Sequence, residues 1–76
     1  MKPQIYLKRI SCDPDILHGK PCIKGTRIPV YLIVSLVAEG TSYEDILEDY
    51  PSLTKADISA ALFYGAQLTK SEAYAL

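Results

Sequence analysis

The chain has 76 residues, of which 49% are apolar and 22% are charged, and its formal net charge is −1. This length fits a single domain over residues 1–76, and this composition is typical of a folded globular protein, not of a disordered tail. No apolar run approaches the roughly 20 residues of a membrane span, and no secretion signal follows the start. We therefore expect a cytoplasmic protein with no membrane contact.

The charges are divided unevenly along the chain. Residues 1–28 hold six Lys or Arg against two Asp, whereas residues 29–76 hold two Lys against seven Asp or Glu. The basic half predicts a surface for nucleic acid or for an acidic partner protein. The same asymmetry equally fits a dimer in which lobes of opposite charge face each other. The candidate binding cations are Lys8, Arg9, Lys20, Lys24 and Arg27.

The first 30 residues predict two short strands and a joint. Alternating residues over 4–10 favour a strand, and a turn follows at Asp13-Pro14-Asp15. The segment Gly19–Val30, which we call the joint, holds two glycines and two prolines. It predicts a turn, a strand at Pro21–Ile23, a second turn and a helix start.

The two cysteines lie near the expected strands. If Ile10–Cys12 pairs with Pro21–Ile23 as a hairpin, the sulfur atoms of Cys12 and Cys22 could lie close together. We expect free thiols in a reducing cytosol, acting as small apolar side chains.

Three helices are predicted after the joint. The first covers Val30–Glu39 and ends at Gly40, which suits a residue with positive φ after a helix. Ser42 with Asp45, and Thr54 with Asp57, are capping signals for the second and third helices. A three-residue turn joins these two, which matches a helix-turn-helix. The stripe of the third helix that should face the core comprises Ile58, Ala61, Leu62, Gly65, Ala66 and Leu68–Thr69.

Several residues of the third helix fall outside this stripe. Ala60 and the candidate protein-interface residues Phe63, Tyr64 and Gln67 are among them. Exposed aromatic side chains on so small a chain are typical of a subunit or partner contact. The alternative is that Phe63 or Tyr64 covers the edge of the chain's own core, and the pattern does not separate the two.

The sequence lacks the residue patterns of a catalytic, metal-binding or phosphate-binding site. One histidine and two cysteines are too few for a zinc site, and Gly25-Thr26-Arg27 lacks the spaced glycines of a phosphate-binding loop. No nucleophile has a base beside it in a recognisable pattern. We expect no catalytic residue, no metal, no cofactor and no small-molecule substrate. The carboxylates of the second helix fit a solvated face; they are Glu44, Asp45, Glu48 and Asp49.

Taken together, these segments form an ordered pattern. It comprises Asp13-Pro14-Asp15-Ile16, Gly19-Lys20-Pro21, Ile23–Val30, Gly40, Glu44–Leu47, Tyr50-Pro51, Leu53, Asp57-Ile58 and Ala61-Leu62. The pattern, from about Ile10 to Ala66, strongly resembles domain-of-unknown-function family 433. The resemblance implies a mainly α fold: a three-helix, homeodomain-like helix-turn-helix core behind a short N-terminal β-hairpin element. It also implies a homodimer and a VapB-type antitoxin, often encoded beside a PIN-like ribonuclease toxin. An aliphatic residue is usual in the family where Cys22 stands, which favours packing over thiol chemistry.

Three alternative functions are consistent with this sequence. In the first, an antitoxin inserts Arg27 or Lys24 into the acidic metal site of its toxin, or grips the toxin with Phe63 and Tyr64, and also binds its promoter. In the second, a helix-turn-helix regulator binds DNA without a toxin, although its expected reading helix offers only Lys55 near its start. In the third, the chain is a dimeric interaction module. The five basic candidates named above would make the toxin or DNA contact.

Overall fold

The described part of the chain has three complete helices behind a two-stranded antiparallel hairpin, as expected. The structure, a computed structural model, describes residues 6–73, with side chains as far as Lys70. Strands β1 and β2 are Ile10–Ser11 and Cys22–Ile23. Helices α1, α2 and α3 are Val30–Ala38, Tyr43–Asp49 and Lys55–Ala73. A single 3-10 turn, Leu17–Gly19, lies between the strands.

The amino-terminal strand is shorter than the alternation predicted. Tyr6 and Leu7 are helical and residues 8–9 form a turn, so the strand expected over 4–10 is wrong at 6–9; residues 4–5 lie outside the described part. The Arg9 amide donates to the Tyr6 carbonyl oxygen, at 3.0 Å, and this local bond replaces a strand ladder. Pairing begins at Ile10, which is opposite Ile23.

The joint adopts the predicted order of turn, strand, turn and helix start. Gly19 and Gly25 have φ of +84° and +81°, a region that only glycine occupies at no steric cost. The strand between them pairs with β1 on one side, and Cys22 forms a bridge with Pro29 on the other. The Val30 amide then donates to the Pro21 carbonyl oxygen, so β2 fixes the position at which α1 begins.

Side chains from the hairpin and all three helices form one core. Its buried members are Ile23, Val30, Ile33, Ile46, Leu53, Ile58 and Ala61. Each fully buried isoleucine contributes about 1.5–3 kcal/mol of transfer free energy. The core therefore holds the hairpin at a fixed place on the helices.

The helix ends follow the expected signals. Gly40, with φ of +90°, donates its amide to the Val37 carbonyl oxygen, and the Thr41 amide donates to that of Leu36. These two bonds close α1 as a Schellman motif. The Asp45 amide donates to Ser42 Oγ at 3.1 Å and begins α2, so this cap is confirmed.

Helix α3 departs from its predicted stripe in two ways. Ala60, placed outside the stripe, is fully buried, whereas Ala66 and Leu68, placed inside it, are exposed. Ala66 and Leu68 lie beyond the buried core members of α3, Ile58 and Ala61, which are both in the first half of this 19-residue helix. In the described part of the chain, no helix is long and apolar enough to cross a lipid bilayer.

Candidate interaction surfaces

A tight turn presents two of the predicted cations, Lys24 and Arg27, which are both exposed. The Thr26 hydroxyl donates to the Ile23 carbonyl oxygen at 2.7 Å and accepts from the Ile28 amide at 3.0 Å. The Thr26 amide also donates to the Ile23 carbonyl oxygen. We call Lys24–Arg27 the cationic turn. Its backbone is held by bonds on both sides, so its two charges stand on an ordered support.

The remaining predicted cations lie in different surroundings. Lys8 is exposed, and Arg9 is beside the cationic turn because the Lys24 amide donates to the Arg9 carbonyl oxygen at 2.7 Å. Arg9 is not free, however, since its Nη1 donates to Asp57 Oδ1 at 3.1 Å. Lys20 lies beyond the other end of β2, with its Nζ 5.2 Å from the centre of the Tyr31 ring. The structure thus brings Arg9 and Lys24 together and sets Lys20 apart.

A short amino-terminal segment lies against the outer side of α3. The Tyr6 and Phe63 rings have centroids 5.8 Å apart and are tilted by 38°. Together with the Arg9–Asp57 ion pair, this contact defines the strap, residues 6–9. Phe63 therefore packs within the chain, while Tyr64 packs against the core and Gln67 is exposed. Any role of these three in an interface stays a prediction.

An apolar groove that the sequence did not indicate lies between α1 and α3. Its volume is about 510 Å³, and it is lined by Lys20, Pro21, Val30, Tyr31, Val34, Ser35, Tyr64, Gly65 and Leu68. Tyr31 is 61% exposed and Leu68 is 60% exposed. Two signals were present in the sequence: a tyrosine one turn before Val34, and a glycine in the middle of a helix. Neither is visible as a groove until α1 and α3 are packed side by side.

The two thiols differ in their surroundings, and both are free. Cys12 is exposed, whereas Cys22 is 1% exposed and donates its thiol to the Lys20 carbonyl oxygen at 3.3 Å. Burial raises the pKa of the Cys22 thiol above its ordinary value, and the neighbouring Cys12 adds to the shift. Burial, followed by Cys12, also raises the pKa of Tyr64. Among the described residues, no three His, Cys, Asp or Glu are grouped to hold a metal ion.

A comparison with known protein families identifies the family of this chain. Residues 10–65 match the family described as protein of unknown function (DUF433), and this range includes the hairpin, the joint and most of the helical core. The chain belongs to the DUF433 family. The matched segment contains the cationic turn and the groove as far as Gly65, whereas Tyr6, Lys8 and Arg9 of the strap lie before it.

Two relatives of this DUF433 chain support the assignment. The uncharacterized protein y4eO of Sinorhizobium fredii (strain NBRC 101917 / NGR234) is 46% identical over 55 residues. That alignment covers 72% of this chain but 25% of y4eO, so the chain spans about a quarter of that relative. The crystal structure of a DUF433 member from Anabaena variabilis ATCC 29413 superposes with a TM-score of 0.77 at 34% identity. It covers 90% of this chain and 67% of the other.

Proposed function

We propose that this DUF433 chain acts through protein–protein binding, as the antitoxin-like component of a type II toxin–antitoxin system whose toxin is a PIN-like nuclease. We propose no catalytic step for it. The observation that carries the proposal is the cationic turn, in which the exposed Lys24 and Arg27 flank a backbone fixed by Thr26. A PIN-like nuclease has an acidic metal-binding site, which two such cations would complement.

The ordered backbone of the cationic turn should increase its affinity for an acidic partner. A flexible loop loses conformational entropy when it binds, at a cost of about 0.5–1.5 kcal/mol for each immobilised side chain, in addition to the backbone. Thr26 has already ordered this backbone through its hydroxyl and amide bonds to Ile23. Only the Lys24 and Arg27 side chains then remain to be ordered when the turn meets an acidic surface.

DNA binding through α3 has less support than protein binding. The strap lies against α3 through Tyr6–Phe63 and Arg9–Asp57, so part of its outer side is covered. Lys55 is exposed at the start of α3, but residues 56–62 supply no Arg, Lys, Asn or Gln, which are the usual readers of guanine and adenine. Helix α2 presents Glu44, Asp45, Glu48 and Asp49 to solvent, and these would repel phosphates.

The test is co-expression of this chain with the PIN-like nuclease encoded beside its gene. We expect restored growth and a complex that survives purification. Lys24→Glu combined with Arg27→Glu should abolish both, whereas Lys70→Glu, which alters an exposed cation on α3, should leave both intact. No rescue by the unaltered chain, or the lack of such a nuclease gene, would remove the antitoxin assignment. Full rescue by the double variant would remove the role of the cationic turn.

A mobility-shift assay with the chain's own upstream DNA tests the promoter-binding part. Salt-sensitive retardation that is lost with the Lys24 and Arg27 double variant would support DNA contact through the cationic turn. Retardation lost with Lys55→Glu alone would instead support a reading role for α3. No retardation with or without the nuclease would remove promoter binding from the proposal.

A further inference from the structure

The groove between α1 and α3 has the size and the lining of a small-molecule site. Its volume of about 510 Å³ lies within the roughly 300–1,000 Å³ that is usual for such sites. Most of its lining is apolar, and the side chains that carry a polar atom are Lys20, Tyr31, Ser35 and Tyr64. An apolar wall with a few polar groups favours a ligand that has an apolar body and one polar end.

Lys20 carries the single charge among the residues that line the groove. Its Nζ lies 5.2 Å from the centre of the Tyr31 ring, which attracts the ammonium group but does not neutralise it. In the described part of the chain, no Asp or Glu lines the groove. The Ser35 hydroxyl already donates to the Tyr31 carbonyl oxygen, at 2.8 Å. Lys20 therefore selects the polar end of a ligand, and a single carboxylate matches its charge.

A strained turn holds the backbone of Lys20 in place. Leu17 and His18 have φ of +50° and +57°, a left-handed conformation that costs energy in residues other than glycine. The Lys20 amide donates to the Leu17 carbonyl oxygen at 3.2 Å, and the Lys20 carbonyl oxygen accepts from the Cys22 thiol at 3.3 Å. Strain of this kind persists where the surrounding structure maintains it, and it is found preferentially at ligand sites. The charge of the groove thus stands on an ordered support.

Gly65 leaves room in the groove for an apolar body. It lies in the middle of α3, where alanine would be the better helix former. A Cβ added there would meet Val34 Cγ2 at 3.6 Å, which is ordinary contact, so packing within the chain does not require glycine. Tyr31 and Leu68, which are 61% and 60% exposed, line the same groove. A flat ring in this space would stack on Tyr31 and bury part of Leu68.

We propose that the groove binds a small aromatic monocarboxylate, as a ligand that is not chemically changed. Its carboxylate pairs with the Lys20 ammonium group, and its ring packs on Tyr31 and Leu68 in the room left by Gly65. The ligand is a free acid, because the lining offers one cation and no second charge for a longer acidic segment. The groove shares no residue with the cationic turn, so the proposal does not depend on a nuclease partner.

Titration of the isotope-labelled chain with naphthylacetate, followed by NMR, tests the site. We expect saturable shifts at the amides of Val34, Gly65 and Leu68, with a dissociation constant of about 1 mM or tighter for a ligand of this size. Naphthylacetamide has nearly the same shape without the charge, and it should bind about fivefold more weakly. The lack of a saturable shift, equal affinities for acid and amide, or shifts centred on the cationic turn would each overturn the proposal.

Three variants separate the charge from the apolar contact. Lys20→Met should reduce the affinity for the acid to that for the amide, whereas Lys70→Met removes an exposed cation that does not line the groove and should change neither affinity. Leu68→Ala should weaken the binding of both compounds by the same factor. The three side chains are exposed, so the spectra of the free variants should stay native. Equal effects of Lys20→Met and Lys70→Met, or unchanged binding by Leu68→Ala, would contradict the proposed site.

Repeating the titration with other molecules present tests the other possible occupants. We expect an affinity for naphthylacetate that does not depend on the concentration of the chain. An affinity that falls as this concentration rises would assign the groove to a second copy, and displacement of naphthylacetate by the nuclease would assign it to a nuclease segment. Either result would overturn the proposal. Growth rescue remains a separate measurement, because none of the three variants alters Lys24 or Arg27.

Discussion

Nη1 of Arg9 lies 3.1 Å from Oδ1 of Asp57, although 48 residues separate them in the chain. The other carboxylate oxygen of Asp57 accepts the Thr54 amide at 2.9 Å, and the Asp57 amide donates to Thr54 Oγ1 at 3.2 Å. One buried carboxylate thus completes the reciprocal cap of α3 and ties the strap to it. The strap and the start of α3 are therefore positioned by the same carboxylate.

Asp57→Ala should destabilise the fold by about 2 kcal/mol, because it removes the cap and leaves the Thr54 amide unpaired. Arg9→Ala should cost less, about 0.5–1 kcal/mol, since the Arg9 side chain is 42% exposed and solvent screens the pair. Urea denaturation of both variants and of the double variant measures the coupling. Additive effects, or a larger loss for Arg9→Ala, would contradict this account.

Thr26→Val should destabilise the fold by about 1–3 kcal/mol. Valine has nearly the same shape but loses the hydroxyl, which leaves the Ile28 amide and the Ile23 carbonyl oxygen with one partner fewer each. Thr26→Ser is the matched control, since it keeps the hydroxyl and should retain most of the stability. Thermal denaturation distinguishes them, and equal melting temperatures for the two variants would be inconsistent with a role for the hydroxyl.

The same substitution at two glycines should have opposite effects on stability. Gly65→Ala should stabilise the chain by about 0.5–1 kcal/mol, because alanine is the better helix former and the added Cβ has room. Gly25→Ala should destabilise it by about 1 kcal/mol, since φ of +81° is strained for alanine although the described neighbours also leave room there. Denaturation at low protein concentration, where association contributes least, provides the comparison. Shifts of the same sign would show that backbone conformation is not the deciding difference.

Stability should fall as the pH rises above about 9. The raised pKa of Cys22 means that the folded chain keeps this proton to higher pH than the unfolded chain, whose ordinary value is 9.0. The unfolded state therefore binds fewer protons in this range, and the free energy of unfolding decreases with pH. Tyr64, ordinarily at 10.0, acts in the same direction at somewhat higher pH.

Urea titrations at pH 8 and pH 10 measure this slope. Cys22→Ala should reduce the dependence of the free energy of unfolding on pH in the lower part of this range. Cys12→Ala should retain most of that dependence, because burial is the larger cause of the raised Cys22 pKa. In the native chain at pH 8, a thiol reagent should label the exposed Cys12 and leave Cys22 unlabelled. Labelling of both at equal rates would contradict the burial of Cys22.

Local signals in the sequence were reliable where a few adjacent residues decide the conformation. Gly40, Ser42 with Asp45, and Thr54 with Asp57 mark helix ends through hydrogen bonds that span three or four residues. The joint was predictable for the same reason, since glycine and proline restrict φ at their own positions. The conformation of residues 6–9 was not predictable, because their alternating pattern fits a strand. In the structure a local turn and the contacts to Asp57 and Phe63 hold these residues on α3 instead.

The sequence by itself determined the three helices, the ends of the first two, the start of the third, the hairpin and the family, because each depends on short-range bonds or on an ordered pattern of residues. Only the tertiary structure decided which side of α3 is covered, that Arg9 is paired while Lys24 and Arg27 are exposed, and that Tyr31, Gly65 and Leu68 border one groove. Helical periodicity shows that one side of a helix is apolar. It does not show how closely the neighbouring helix packs along that side, and here a groove between α1 and α3 leaves Leu68 exposed.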